Sequence, residues 1–137
     1  MAIDQVSNFA QAELAAGYAA GITSIDVEAG AGSKFNADVN AYWWNSTDYP
    51  SPPDDPDVEI VRITNVSTDT LTVTRAQEGT ADSAKNIAGK TYKIAIGITK
   101  KTVDDIRTDI GIKANFDTGA TVSATPATGD FFLHTPT

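Results

Sequence analysis

The residues best suited to chemistry are five carboxylates grouped in one short stretch: Asp48, Asp54, Asp55, Asp57 and Glu59. Carboxylate oxygens can hold Ca²⁺, and a carboxylate pair can act as acid and base. The spacing differs from that of a calcium-binding EF-hand loop, and four prolines stiffen residues 45–57. We therefore predict a solvated acidic loop, or one that faces a basic partner, with calcium binding as the alternative.

Other residue types that support catalysis are scarce. The chain has no Cys and a single His, His134, so Cys-based metal sites, thiolate nucleophiles and a His pair within one subunit are excluded. Ser7, Ser24 and Ser33 lack a nucleophile-elbow context, and neither a P-loop nor a GxGxxG pattern occurs. We expect no enzyme activity, no cofactor and no metal ion.

Size and charge also limit the partners. The 137 residues include 18 acidic and 10 basic side chains, which gives a formal net charge of -8. Like-charge repulsion disfavours nucleic acid and anionic membranes as partners. The longest apolar stretch is too short to span a bilayer. We expect a binding or building module of one domain with a tail.

The elements that must position these side chains are mostly strands. Alternation of apolar and polar residues predicts strands at residues 22–27, 39–45, 58–64, 70–75 and 92–98, with a short strand or extended arm at 9–15. A polar link predicts that 58–64 and 70–75 form a hairpin, and a helical turn is expected near 82–86. The pattern indicates a mainly β fold, a small β-sandwich or β-barrel-like domain over residues 1–98.

Two adjacent tryptophans lie on the predicted strand at 39–45. Trp43 and Trp44 must point to opposite faces of that strand. One ring can enter the core while the other lies at a surface or an interface. An exposed ring could anchor a protein partner or stack on a sugar.

After residue 98 the apolar period changes to that of a helix. Val103, Ile106 and Ile110 follow an i, i+3, i+7 spacing, which is the seam of a coiled coil. We predict a short oligomerisation helix at 99–111, capped by Thr99 or Thr102. So short a helix is unstable alone, so its seam should pack on copies of itself or on the β-domain.

The last residues, 112–137, are rich in Thr, Ala, Gly and Pro and predict an extended C-terminal segment. One apolar cluster lies there, formed by Phe131, Phe132 and Leu133. We expect this cluster either to dock on a partner or to begin an element of a longer chain, such as a fibre.

Three short motifs carry a resemblance to a known group of proteins. They are EIVRI at 59–63, DTLTVTR at 69–75 and QEGT at 77–80, followed by Gly89 before the next strand. Together with residues 17–35, this pattern resembles a module of tail-fibre, baseplate and related appendage proteins of tailed bacteriophages. The usual pattern has Gly before the Gln, where this chain has Ala76. We expect the QEGT motif to shape a corner at which Gly79 adopts a positive φ.

The resemblance implies a structural virion protein, most simply the N-terminal attachment region of a tail fibre or other appendage that docks on the tail or baseplate. It implies other virion proteins as partners, and a homo-oligomer, with a trimer favoured because many phage fibres are trimeric. A tail appendage is favoured over the capsid surface. The alternatives are a capsid decoration or head-fibre protein and a carbohydrate-binding module. The residues expected to mediate assembly are Trp43, Trp44, Val103, Ile106, Ile110, Phe131, Phe132 and Leu133.

Overall fold

Six antiparallel strands form one curled sheet in the computed structural model, which describes residues 3–109. The strands are β1 (Gln11–Glu13), β2 (Ser24–Asp26), β3 (Val39–Asn45), β4 (Glu59–Ser67), β5 (Thr70–Gln77) and β6 (Tyr92–Ile96). Two 3-10 helices, Ala31–Lys34 and Pro52–Asp54, lie in loops, and one α-helix, α1 (Lys100–Asp109), follows the sheet. The predicted mainly β fold is confirmed.

The sheet curls until its two edges meet. Its strand order is β1-β6-β3-β4-β5-β2, so β1 and β2 are the edges. Leu14 and Val27, just beyond these strands, form an antiparallel bridge, and the Ala15 amide donates to the Asp26 carbonyl at 2.8 Å. This contact gives backbone partners to edges that would otherwise be open to another chain. The architecture is therefore barrel-like, with a single sheet.

The inner face of the curl holds the core. Strand residues alternate between faces, and the inward set is apolar and buried: Ile25, Val39, Ala41, Trp43, Val61, Ile63, Leu71, Val73 and Ile94. Tyr92 and Ile94 point into this core and Ile96 packs against it, as the period of two predicted. The core therefore follows the sequence pattern closely.

Strand β6 ends two residues earlier than expected. At Gly97 the chain passes so close to the ring of Tyr42 that a Cβ atom there would lie 2.4 Å from Tyr42 Cε2. Ile98 lies beyond this crossing and is 69% exposed, so it does not extend the apolar face of β6. The Tyr42 hydroxyl donates to the Ile98 carbonyl at 2.8 Å. This crossing leads the chain into α1.

The hairpin of β4 and β5 is longer than predicted. Pairing continues to Ser67 and Thr70, so only Thr68 and Asp69 remain as the turn. The Asp69 carboxylate accepts hydrogen bonds from the amides of Gly30 and Gly32, at 3.0 and 2.9 Å. The polar link that resembled a loop in the sequence is thus mostly strand.

No helix within residues 3–109 combines the length and the apolar character needed to cross a membrane.

Candidate functional site

The acidic stretch is not solvated as a whole, so that prediction is wrong for two of its five residues. Asp55 and Glu59 are buried. The Asp55 carboxylate accepts hydrogen bonds from the amides of Asn45 and Asp57, both at 2.8 Å, and so fastens the loop to the end of β3. Asp48 pairs with Lys90 at 2.6 Å. The described residues contain no group of three or more His, Cys, Asp or Glu placed to hold a metal ion.

Glu59 belongs to a set of charged residues inside the curl that we call the inner charge cluster: Glu59, Arg75 and Lys85. The Arg75 guanidinium donates to both Glu59 oxygens at 2.7 Å, and Lys85 Nζ donates to Glu59 Oε2 at 3.2 Å. Burial alone would raise the pKa of Glu59, but the hydrogen bonds from Arg75 and the Ala76 amide and the charge of Lys85 hold it below its ordinary value.

The inner charge cluster surrounds the ring of Trp43. The guanidinium carbon of Arg75 lies 4.6 Å from the ring centroid, and Lys85 Nζ lies 5.5 Å from it, within range of cation–π attraction. The ring of Tyr18 meets Trp43 edge-on at 6.0 Å. Trp43 Nε1 has no hydrogen-bond partner among the described residues. This packing makes Trp43 a core residue.

Lys85 is fully engaged in holding its own loop. Besides Glu59, its ammonium donates to the carbonyl and hydroxyl oxygens of Ser83. Its backbone pairs with Tyr18, so residues 82–86 do not form the expected helical turn. Burial lowers the pKa of Lys85 although Glu59 opposes the shift. With all its protons directed at acceptors, this amine is a structural group.

Trp44 is also buried, and the expectation that one tryptophan lies at the surface is wrong. The chain after β3 folds back over its ring, and Trp44 Nε1 donates to the Tyr49 carbonyl at 3.1 Å. Asn45 supports this return because its side-chain oxygen accepts from the Thr47 amide at 3.0 Å. Neither tryptophan ring has an exposed face on which a sugar could stack or a protein partner could bind.

A second group of charges lies on the outside of the sheet, beneath α1. We call Asp4, Arg62, Lys101 and Thr102 the outer charge cluster. Asp4 Oδ1 lies 2.8 Å from Arg62 Nη1 and 3.2 Å from Lys101 Nζ, and its Oδ2 accepts from the Thr102 hydroxyl at 3.1 Å. Burial raises the pKa of Asp4, but these hydrogen bonds outweigh burial and leave it lowered. The cluster ties the N-terminal segment, β4 and the helix together.

The QEGT motif forms the expected corner. Gly79 has φ +86°, and the Thr80 hydroxyl accepts from the Ile60 amide at 2.9 Å and donates to the Gln77 carbonyl at 2.8 Å. Glu78 reaches further, accepting from Asn40 Nδ2 at 2.7 Å and from the Lys101 amide at 2.9 Å. A carboxylate at this point stabilises the N-terminus of α1, where the sequence has only lysines.

The helix contacts the sheet through polar residues and leaves apolar residues outside. Thr102 and Asp105 are its buried side chains. Val103 and Ile106, which we call the apolar stripe, are 43% and 40% exposed. Thr99 is in the capping position, with its hydroxyl 3.4 Å from the Thr102 amide. The other seam residue, Ile110, and the predicted cluster Phe131, Phe132 and Leu133 lie outside the described residues.

An apolar depression of about 350 Å³ lies on the outer face of the sheet. We call it the outer groove, and its lining residues are Tyr42, Pro52, Pro53, Val58, Ile60 and Thr80. Asp54 and Asp57 directly adjoin the lining residues in sequence and are exposed. The described residues thus present two separate apolar surfaces, a groove with acidic neighbours and a stripe on α1.

Sequence reasoning missed Arg75, Lys85, Asp4 and Glu78. A signal existed for one pair, because Glu59 and Arg75 fall on the inward positions of β4 and β5, where the period of two otherwise places apolar residues. Two opposite charges on the buried faces of paired strands indicate an ion pair. No local pattern pointed to Asp4.

Comparison with models of protein families gave no match, and comparison with curated proteins gave none either.

Proposed function

We propose that this protein is a structural component of a tailed-phage virion, and that its β-domain is the N-terminal attachment region of a tail fibre or other tail appendage. The resemblance of the EIVRI, DTLTVTR and QEGT motifs supports this proposal. These motifs lie on β4, on β5 and at the corner beside α1. In this proposal they serve the domain that docks on the tail or baseplate.

The observation that carries the proposal is the orientation of α1. Its buried side chains are Thr102 and Asp105, while Val103 and Ile106 remain 43% and 40% exposed. A helix that only completed a monomeric domain would bury its apolar residues, because burying an aliphatic side chain contributes about 1.5–3 kcal/mol. We infer that the apolar stripe meets other copies of the chain, with a trimer favoured, and that the C-terminal segment leads into the distal fibre.

One alternative keeps the virion and changes the place, as a capsid decoration or head-fibre protein. The carbohydrate-binding alternative required an exposed tryptophan ring, and the burial of Trp43 and Trp44 removes its basis. We therefore do not propose glycan binding through these rings.

Labelling of virions tests the proposal. Gold-labelled antibodies raised against the β-domain should mark the tail of particles purified from the phage that encodes the chain. Labelling of the capsid would favour the decoration alternative, and particles that contain none of this chain by mass spectrometry would overturn the proposal.

The solution mass tests the role of the helix. Light scattering after gel filtration should give three times the chain mass of 14.4 kDa. Val103→Asp combined with Ile106→Asp should give a folded monomer. Ile87→Asp is the matched control, because Ile87 is an exposed aliphatic residue outside α1, and it should leave the trimer intact. A wild-type monomer would contradict self-association.

A further inference from the structure

We propose that the apolar stripe of α1 in one copy binds in the outer groove of a second copy. This inference rests on the self-association in the proposed function and names the surface that receives the helix. The occupant is thus a second copy of this chain, and the contact joins Val103 and Ile106 of one copy to the Pro52, Pro53 and Val58 side of the groove in the next.

Among residues 3–109, neither surface is fully covered. The apolar stripe is about two-fifths exposed, and the outer groove is open while its lining is almost wholly apolar. The contacts with Asp4 and Glu78 hold Thr102 and the Lys101 amide toward the sheet, so α1 as placed does not put its apolar stripe in the groove of its own chain. Binding in a neighbouring copy would remove both apolar surfaces from water.

The charges beside the two surfaces are complementary. Asp54 and Asp57 adjoin the groove residues Pro53 and Val58, and both are exposed and form no ion pair with another described residue. Arg107 directly follows Ile106, is exposed, and likewise has no ion-pair partner within residues 3–109. The stripe is flanked by Arg107 and by the equally exposed Asp109. An orientation that places Arg107 against Asp54 and Asp57 and leaves Asp109 toward solvent is therefore favoured for this pairing.

Such a contact joins two different surfaces, so it is heterologous. A heterologous contact produces a closed ring when its rotation closes, and three copies give a trimer. This arrangement differs from the seam that the sequence predicted, in which identical helices would meet on the axis. The two arrangements place Ile106 against different residues, and that difference can be measured.

Engineered cysteines give the test, because the natural chain has none. The variant Pro53→Cys with Ile106→Cys is treated with a short bis-maleimide at the concentration at which the wild-type chain is a trimer. We expect dimer and trimer bands on denaturing gels. Ile106→Cys alone and Ile87→Cys with Ile106→Cys are the controls, and each should remain at the monomer position. Circular dichroism and light scattering establish that each variant folds and assembles before crosslinking.

The outcomes separate the inference from the proposed function. A trimer in which Ile106→Cys alone gives the same crosslinked bands as the double variant would mean that the helices meet on the axis, and the groove assignment would be wrong. A trimer in which the double variant gives no bands would also overturn the groove assignment while self-association stands. A wild-type monomer would overturn self-association and the inference together.

Charge reversal offers an independent check. Asp54→Lys with Asp57→Lys should weaken trimer formation about tenfold, and Arg107→Glu alone should do the same. Combining all three changes should restore most of the affinity, because the complementary charges are exchanged. If the change in association free energy of the combined variant equals the sum of the two separate changes, direct pairing would be contradicted.

Discussion

The inner and outer charge clusters use the same arrangement in two different surroundings. In each, one carboxylate serves two cations: Glu59 binds Arg75 and Lys85, and Asp4 binds Arg62 and Lys101. Both carboxylates are fully buried, but the cations differ. Those of the inner cluster are at most 5% exposed in their side chains, whereas those of the outer cluster are 19% and 30% exposed.

This difference assigns the two clusters different tasks. The inner cluster joins β4, β5 and the connection that precedes β6 around Trp43, so its charges cannot return to water unless the sheet opens. The outer cluster joins separate elements at the surface, so its cations can be solvated when the helix leaves. We infer that the inner cluster governs the folding of the β-domain and the outer cluster governs the position of α1.

Loss of the Glu59 charge should have the largest effect. Glu59→Gln leaves Lys85 buried without a carboxylate and leaves Arg75 with only the partly exposed Asp82, 2.8 Å from its Nη2. Breaking a buried pair in this way costs about 3–5 kcal/mol. Urea unfolding monitored by tryptophan fluorescence should show this loss of stability as a lower urea concentration at the midpoint. Asp48→Asn is the matched control, since it removes a carboxylate that pairs with a lysine at the surface and should leave the midpoint almost unchanged. Equal effects would contradict the distinction between buried and exposed pairs.

Acid should remove the same stabilisation from the wild-type chain. The pKa of Glu59 is lower in the folded protein than in the unfolded chain, so its contribution is fully present above the ordinary glutamate pKa of about 4.3. The contribution is lost as the pH falls through the lower, folded value. The stability difference between wild type and Glu59→Gln should therefore be constant near neutral pH and shrink below about pH 4. A difference independent of pH down to acid unfolding would contradict this account.

Loss of the Asp4 charge should have a smaller and local effect. Asp4→Asn weakens hydrogen bonds to two charged groups, which are worth about 1.5–3 kcal/mol, but its cations can turn to water. Hydrogen exchange should accelerate in α1 while the core strands β3 and β4 keep their protection. Asp104→Asn is the control, because it breaks only the exposed pair with Lys100. Uniform acceleration across the sheet would show that the outer cluster supports the whole domain.

The sequence predicted the parts of the fold that depend on local periodicity. The predicted strand at residues 39–45 matches β3 at both ends, and the helix begins one residue after its predicted start. Apart from Glu59 and Arg75, whose inward strand positions were a signal, it could not show which charges are buried, because those contacts join residues far apart in the chain. Lys85 meets Glu59 across 26 residues, and Asp4 meets Thr102 across 98. The burial of Trp44 was missed for a related reason, since a loop that looked exposed returns over the ring.

Substitutions at Ala76 and in the adjoining QEGT corner should have the smallest effect on stability. Ala76 has φ +54°, a left-handed conformation that costs a residue with a Cβ atom about 1 kcal/mol. Ala76→Gly should therefore stabilise the domain by at most about 1 kcal/mol, reduced by the greater freedom of glycine in the unfolded chain. Gly79→Ala is the opposite control: its φ is +86° with nothing within 4 Å of an added Cβ, so only the backbone penalty applies and stability should fall.

The Ala76 amide donates to Glu59 Oε1 at 2.9 Å, so the inner charge cluster holds this strained turn in place. If that bond maintains the conformation, the gain from Ala76→Gly should be larger in the Glu59→Gln background than in the wild type. Additive effects in thermal unfolding would instead mean that the corner holds its shape without the inner cluster.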